Sequence, residues 1–199
     1  MTLTAADLGR LAQLTLSQPA RAAQAVMALN VPRDALWLCL ALVTVAGVLI
    51  SALGQGPVMT MPIGAGGTVV VGPFGYALIL GASLVLTIFA LHYTGGMLGG
   101  TGRFDDALAL IAWLEAVAVA VRFVADLAAL LSLTLATVVS LAGLGLLLWA
   151  LLNFINELHR FDSIGRSLLT LFLAMVGIAV GLSLILSIIG VGSGGGVAA

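Results

Sequence analysis

Three charged side chains interrupt the apolar stretch 113–126, WLEAVAVAVRFVAD: Glu115, Arg122 and Asp126. On an α-helix, which advances about 100° per residue, these positions fall within roughly 40° of one another and form one stripe. Arg122 and Asp126 are four residues apart, close enough to pair. Charged groups inside an apolar helix can carry protons or ions across a membrane, or they can fix the register of neighbouring helices. We call these three residues the charged stripe.

The cost of burying these charges predicts which way the stripe faces. The ten Leu, Ile, Val and Phe residues of 107–129 favour membrane insertion by about 3–6 kcal/mol in total, whereas Glu115 alone, ionised near the bilayer centre, costs about 3 kcal/mol. A helix with this face in lipid would insert only marginally, so the stripe is predicted to face the interior of a bundle. An electrostatic clasp between helices is the favoured hypothesis, and a proton or ion pathway is the alternative.

A second set of polar residues lies where the predicted membrane helices begin or end on one side of the membrane. This inner-end polar cluster consists of His92, Asp105, Asp106, Asn153, Asn156 and Glu157. Although His, Asp and Glu can bind metals, no HxxE or HExxH spacing places two ligands on one helix face. We therefore expect these residues to cap helices and to form hydrogen bonds between them, without a metal. Asp105 and Asp106 also suit a helix N-terminus, where negative charge is stabilised.

The composition identifies the class of protein in which these residues lie. Of the 199 residues, 62% are hydrophobic and 8% are charged, and the mean hydropathy is +1.26. Soluble domains are about 25% charged, so this chain has too little polar surface to face water. It is predicted to be an all-α, polytopic membrane protein that has the lipid bilayer as its first partner. The formal net charge of −1 excludes the basic face of a nucleic-acid-binding protein.

Five membrane-spanning helices are predicted, because about 20 apolar residues are needed to cross a bilayer. The stretch 107–155 is apolar almost throughout, and as one helix it would be more than about 70 Å long, over twice the hydrocarbon thickness. It is therefore predicted to fold back near residues 130–133. The five predicted spans are 35–53, 75–93, 107–129, 133–155 and 168–190.

The segments outside this predicted bundle (35–190) have their own signatures. Residues 1–34 contain two short amphipathic stretches, which we expect to form helices at the membrane interface. The loop 54–75 has two short β-prone runs on either side of residues 64–67, which predicts either a small β-hairpin or an irregular loop. The Gly-rich tail 191–199 is predicted to be flexible, and its formal GxGxxG pattern has no strand before it and no helix after it.

The arginines predict the orientation of the chain in the membrane. Six of the seven arginines flank the spans on the side that holds the N-terminus, the opposite side has none, and the chain contains no lysine. Because cytoplasmic loops carry the excess of Lys and Arg, we expect the N-terminus to be cytoplasmic and the C-terminus to lie on the far side.

Sequence signatures of enzymes are missing. The sequence contains no GxSxG motif and no Walker loop, and we expect neither catalysis nor a bound cofactor. Gly177 and Gly181 instead form a GxxxG pair, which lets membrane helices pack closely, either within the bundle or in a homo-oligomer.

Two stretches carry a family resemblance: SQPARAAQAVMAL with VPRDALWL, which lead into the first span, and GGTGRFDDALALIAWLE, which leads into the third. Together they resemble the bacterial branch of the Yip family, the Ypt/Rab-interacting-protein-like membrane proteins. The most specific element is Gly99-Gly100-x-Gly102-x-Phe104-Asp105. The resemblance implies five spans, a cytoplasmic N-terminus and a non-catalytic protein of a bacterial inner membrane, with its C-terminus in the periplasm.

Two features found in the family are missing from this chain. The Asp-Leu-x-Gly-Pro motif of eukaryotic members is not supplied by residues 7–10, which read DLGR, and the predicted third span contains no proline. Rab binding and vesicle trafficking are therefore not part of what the resemblance implies.

These observations together predict a scaffold, assembly or membrane-organising protein. Its partners would be other integral membrane proteins or a second copy of the chain, held through helix–helix contacts. The alternative is a small transporter, or a proton- or ion-conducting protein, that uses the charged stripe. A dry, paired stripe favours the scaffold, whereas a continuous water-lined path to Glu115 favours transport.

The predicted orientation can be measured with a reporter that is active only outside the cytoplasm. Fused after Ala199, the reporter should be active, and fused after Arg160 it should be silent, because the arginine-rich side is retained in the cytoplasm. The opposite pattern of activity would contradict five spans with a cytoplasmic N-terminus.

Overall fold

A computed structural model of the chain describes residues 4–56, 59–63 and 67–188. In this part the chain forms seven α-helices and one pair of β-strands. In chain order they are α1 Ala5–Ser17, α2 Pro19–Ala28, α3 Arg33–Gln55, β1 Met59–Ile63, β2 Gly67–Val71, α4 Pro73–Met97, α5 Phe104–Ala129, α6 Leu133–His159 and α7 Ile164–Ile188. The predicted tail 191–199 and the residues 64–66 between the strands lie outside the described residues.

Five of these helices, α3 to α7, are long and apolar enough to cross a membrane. Each has between 23 and 27 residues, which at about 1.5 Å per residue exceeds the roughly 30 Å of a hydrocarbon core. The prediction of an all-α fold with five spans is confirmed, and the chain is a multi-pass membrane protein.

The reversal between α5 and α6 occupies residues 130–132. Neither glycine nor proline marks it; instead, the backbone amides of Leu131 and Ser132 both donate to the carbonyl of Ala128. Ser132 then takes an extended conformation before α6 begins. At the far end of α6, Arg160 adopts a left-handed conformation with φ of 54°, which ends the helix. The long apolar stretch thus folds into two antiparallel helices.

The two ends of the bundle differ in charge and in packing. The end with α1, α2 and the α4–α5 and α6–α7 turns carries six arginines, and we call it the arginine end. The opposite end, with the strands and the α5–α6 turn, is the hairpin end. The buried side chains of α4 and α7, in the part of the chain that the structure describes, lie towards the arginine end. They are Ile88 and Leu91 in α4 and Ser167, Thr170 and Ala174 in α7.

α5 is the central helix of the bundle. It packs most extensively against α6 and α3, and it also contacts α2 and α4. Its most densely buried segment, 107–112, consists of alanine, leucine and isoleucine and lies at the arginine end. α5 therefore contacts four other helices, and it carries the charged stripe.

The two N-terminal helices form, and α1 is locally well capped. The side-chain hydroxyl of Thr4 accepts a hydrogen bond from the amide of Asp7, and the Asp7 carboxylate accepts from the Thr4 amide. The Thr4 hydroxyl also donates to the Asp7 carboxylate at 2.6 Å, and this bond, followed by that from the Thr4 amide, holds the pKa of the Asp7 carboxyl below its ordinary value. The negative charge also suits the N-terminus of a helix.

The apolar face of α2 meets protein rather than lipid. α2 packs against α5 and α6, and its residues Ala22 and Ala23 are fully buried. The Gln24 side-chain amide donates to the Glu157 carboxylate at 2.8 Å. These small alanines allow a close approach between helices, so the segment expected at the membrane interface contributes to the core of the arginine end.

The strands β1 and β2 pair in an antiparallel hairpin between α3 and α4. Met59 lies opposite Val71, and Ile63 lies opposite Gly67. Of the two alternatives for this loop, the structure therefore contains the β-hairpin.

Candidate functional site

The charged stripe of α5 is divided into a paired and an unpaired part. Arg122 donates through Nη2 to Oε1 of Glu115, seven residues earlier. The Arg122 and Glu115 side chains are 34% and 12% exposed respectively, so the carboxylate is largely covered by protein and the guanidinium side chain is half-buried. Asp126, which the sequence places within reach of Arg122, forms no ion pair in the described part of the chain. Arg122 is therefore committed to Glu115 at mid-depth, and Asp126 stands alone near the hairpin end.

Two glycines of α3 lie beside these two carboxylates. A Cβ atom at Gly47 would lie 3.5 Å from Oε1 of Glu115, and one at Gly54 would lie 2.6 Å from Oδ1 of Asp126. The first distance is an ordinary van der Waals contact, whereas the second is too short for one, so a side chain at position 54 would displace the Asp126 carboxylate. The glycines are seven residues apart and therefore lie on one face of α3, the face turned to α5.

Two cavities border the ion pair. One, of about 290 Å³, lies between α5 and α6, and the other, of about 250 Å³, extends to α4. Both are lined mainly by alanine, leucine, valine and isoleucine. Beyond Glu115 and Arg122, the polar side chains that line them are Ser140 and Thr87. Two isolated hydroxyls do not provide the succession of polar groups that an ion needs along its path.

The inner-end polar cluster forms separate contacts rather than one centre. Asp105 accepts a hydrogen bond from Arg33 at 2.5 Å and lies 3.7 Å from Arg103. The contact with Arg33 joins the first turn of α5 to the first turn of α3. Asp106 lines a cavity of about 240 Å³ beside these residues, and Glu157 binds α2 through Gln24. The contacts of Asp105 with Arg33 and of Glu157 with Gln24 each join two helices at the arginine end.

The remaining members of the cluster also have structural partners. The Asn153 side chain donates to the backbone carbonyl four residues earlier, and the Asn156 side chain accepts from the Ser167 hydroxyl at 3.4 Å, which joins α6 to α7. The ring of His92 packs edge-on against Phe104, with centroids 5.7 Å apart. Within the described residues, no three His, Cys, Asp or Glu side chains come together as ligands for a metal ion.

His159 is the polar residue around which the arginine end is packed. It is 2% exposed, and its Nε2 lies 3.2 Å from the backbone carbonyl oxygen of Leu91 in α4. Because a carbonyl can only accept, Nε2 carries the proton. A Cβ atom at Gly95, Gly100 or Gly102 would lie between 2.0 and 2.9 Å from an atom of the imidazole. The ring therefore occupies the space that these three positions would need for any side chain.

Three of the glycines in the segment 95–102, the glycine-rich turn, face this histidine. Five of the segment's eight residues are glycine, and the amide of Thr101 donates to the backbone carbonyl of His159 at 3.3 Å. From the sequence, His159 could be placed only at the end of the fourth span, without a role. The high glycine content of this segment indicates close packing, but it does not identify the distant side chain that packs against the glycines.

Substituting Gly95 tests this packing. Gly95→Ala should lower stability by about 1–3 kcal/mol, because its methyl group would overlap the imidazole. In a His159→Ala background, Gly95→Ala should lower the stability much less. A double-mutant cycle of thermal unfolding in one detergent would measure the difference. Gly96→Ala is the matched control, since nothing lies within 4 Å of a Cβ at Gly96. An equal loss in both backgrounds would contradict the contact between Gly95 and His159.

The ion pair of the stripe makes a second prediction. Arg122→Leu should lower the unfolding temperature more than the double change Glu115→Leu with Arg122→Leu, because the single variant leaves an uncompensated carboxylate in an apolar setting. Asp126 can be left unchanged in this comparison, since it is not part of the pair. If the double variant has the same unfolding temperature as the single variant, the loss of stability does not come from an unpaired Glu115 carboxylate.

Comparison with known families agrees with the architecture. The model of the Yip1 domain matches residues 14–185, from the last turn of α1 to the last part of α7. The matched region includes the five long apolar helices, the charged stripe and the glycine-rich turn. No curated protein and no solved structure matches the chain. The expected family is confirmed at this level: the chain belongs to the Yip1 domain family.

Proposed function

We propose that this Yip1-domain protein is a non-catalytic scaffold of a bacterial inner membrane, with its N-terminus in the cytoplasm. In this role it holds other integral membrane proteins through contacts between transmembrane helices. The observation that carries the proposal is an open groove between α4 and α7, of about 280 Å³.

The groove contains a helix-packing motif without a helix against it. Gly177 and Gly181 line one wall, and a Cβ atom at either position would meet nothing within 4 Å in the described part of the chain. Tyr93 and Phe89 of α4 form the opposite wall. Small residues exposed in this way allow the backbone of another membrane helix to approach closely.

The uneven packing of the bundle supports the same function. Towards the hairpin end, the described side chains of α4 and α7 are half-buried or exposed, and Leu78, Met175 and Val180 are each more than half exposed. Lipid tails solvate such surfaces without a hydrophobic penalty, so association here depends on van der Waals packing between well-matched surfaces. A partner helix that fills the groove would supply that packing.

The alternative of a transporter has less support. Glu115 is paired with Arg122, and the cavities beside them have mainly apolar walls. A carrier of ions or protons needs a polar path that reaches the charged groups from both sides of the membrane.

Site-specific photo-crosslinking in native membranes tests the proposal. A photoreactive residue at Leu182, which lines the groove, should form adducts with discrete membrane proteins at several times the yield of the same residue at Phe172, which is exposed elsewhere on α7. Adducts between two copies of the chain would show that the groove binds a second copy of the protein instead of a different membrane protein. Adducts with lipid alone at both positions would contradict a scaffold that acts through this groove.

A further inference from the structure

An unpaired carboxylate lies in unfavourable surroundings at the hairpin end of α5. Asp126 lines a groove of about 280 Å³ between α3 and α5, in which the other lining residues are apolar or glycine. It is also three residues from the end of α5 at Ala129, where the negative end of the helix dipole disfavours an anion. Burial beside apolar groups and the helix dipole thus both oppose a charge at this position.

The fold nevertheless makes space for this side chain. Gly54 stands opposite it in α3, where a Cβ atom would lie 2.6 Å from the carboxylate. Leu53, Phe123 and Leu130 surround the groove and keep between 45% and 82% of their surface exposed. The carboxylate therefore lies in an accessible apolar groove and is not sealed in the core.

At the hairpin end, the sequence contains no basic side chain that could pair with Asp126. It contains no lysine, and no arginine or histidine occurs in 34–91, in 123–158 or after residue 166. Together these ranges include β1, β2 and the α5–α6 turn, which define the hairpin end. Arg122 is the nearest basic residue in the sequence, and its guanidinium is paired with Glu115. A counter-ion for Asp126 must come from another molecule.

We propose that Asp126 binds a lysine or arginine side chain of a partner's transmembrane helix, which docks in the groove between α3 and α5. The basic residue would lie near the end of the partner helix, at the depth where long cationic side chains reach the membrane interface. The exposed small residue Ala129 in the groove allows the two helices to approach closely. This inference rests on the proposed scaffold function and specifies the chemistry of a partner.

Two other occupants fit the groove less well. A second copy of the chain has the same lack of cations at its hairpin end, so it cannot supply the counter-ion there. The amine headgroup of a phospholipid carries a phosphate a few bonds away, and the hairpin end has no Lys or Arg to receive that phosphate. A basic side chain brings a positive charge without an accompanying anion.

Synthetic transmembrane peptides provide a direct test. The full chain, labelled with an acceptor dye at Cys39, its single and exposed cysteine, is reconstituted in phosphatidylcholine vesicles. Donor-labelled Leu/Ala-rich helices carry one Lys, Gln or Glu in the turn that meets the membrane surface. Energy transfer should show that the Lys peptide binds about tenfold more tightly than the Gln peptide, and that the Glu peptide binds most weakly.

Substitutions assign this preference to Asp126. Asp126→Asn should abolish the preference for Lys over Gln, and Asp126→Arg should transfer the preference to the Glu peptide. Asp162→Asn, which removes an exposed carboxylate at the arginine end, should leave the preference intact. Asp126→Asn should also leave the unfolding temperature unchanged or raise it, because it removes an unpaired charge at a helix C-terminus. If the carboxylate had a purely structural role, the same substitution would lower the unfolding temperature.

The outcomes separate this inference from the proposed function. A chain that binds all three peptides equally, or that keeps its preference in Asp126→Asn, would overturn the role of Asp126 and leave a helix-binding scaffold in place. Loss of the preference when phosphatidylethanolamine is added to the vesicles would overturn it in favour of a lipid amine. A chain that binds none of the peptides would contradict both proposals.

Discussion

The imidazole of His159 fixes how closely α4 and α6 can approach at the arginine end. It lies where Gly95, Gly100 and Gly102 would have side chains, and its one donated hydrogen bond goes to the carbonyl of Leu91. A buried neutral imidazole with a satisfied donor costs much less than a charged one. The α4–α5 turn must therefore be glycine-rich, and α5 begins at a position set by that turn.

The closed arginine end has consequences for the rest of the bundle. α2 adds to it through Ala22 and Ala23, and ion pairs such as Arg33 with Asp105 join helix ends across it. Towards the hairpin end the helices share fewer buried contacts, so the grooves between them stay open. In a membrane such grooves are tolerated because lipid tails are as apolar as the side chains that line them. The same asymmetry makes surfaces available to other membrane proteins.

The charged stripe shows that residues on one helix face can have different roles. Glu115 and Arg122 neutralise one another within α5, beside Gly47 of α3, so this ion pair does not itself link two helices. Asp126, four residues further on, has Gly54 opposite it and forms no ion pair within the described part of the chain. The difference arises because the guanidinium reaches back two turns instead of forward by one, a choice of rotamer that helical periodicity does not determine.

The sequence by itself determined the class of the protein and the number of spans, because these follow from hydrophobicity and helix length. It also indicated the family through 99–105 and the position of the α5–α6 reversal. Only the tertiary structure decided which partner Arg122 takes, that α2 packs on α5 and α6, and that His159 fills the space above glycines at least 57 residues away. These features depend on which helices become neighbours, and contacts between residues distant in sequence leave no periodic pattern within either segment.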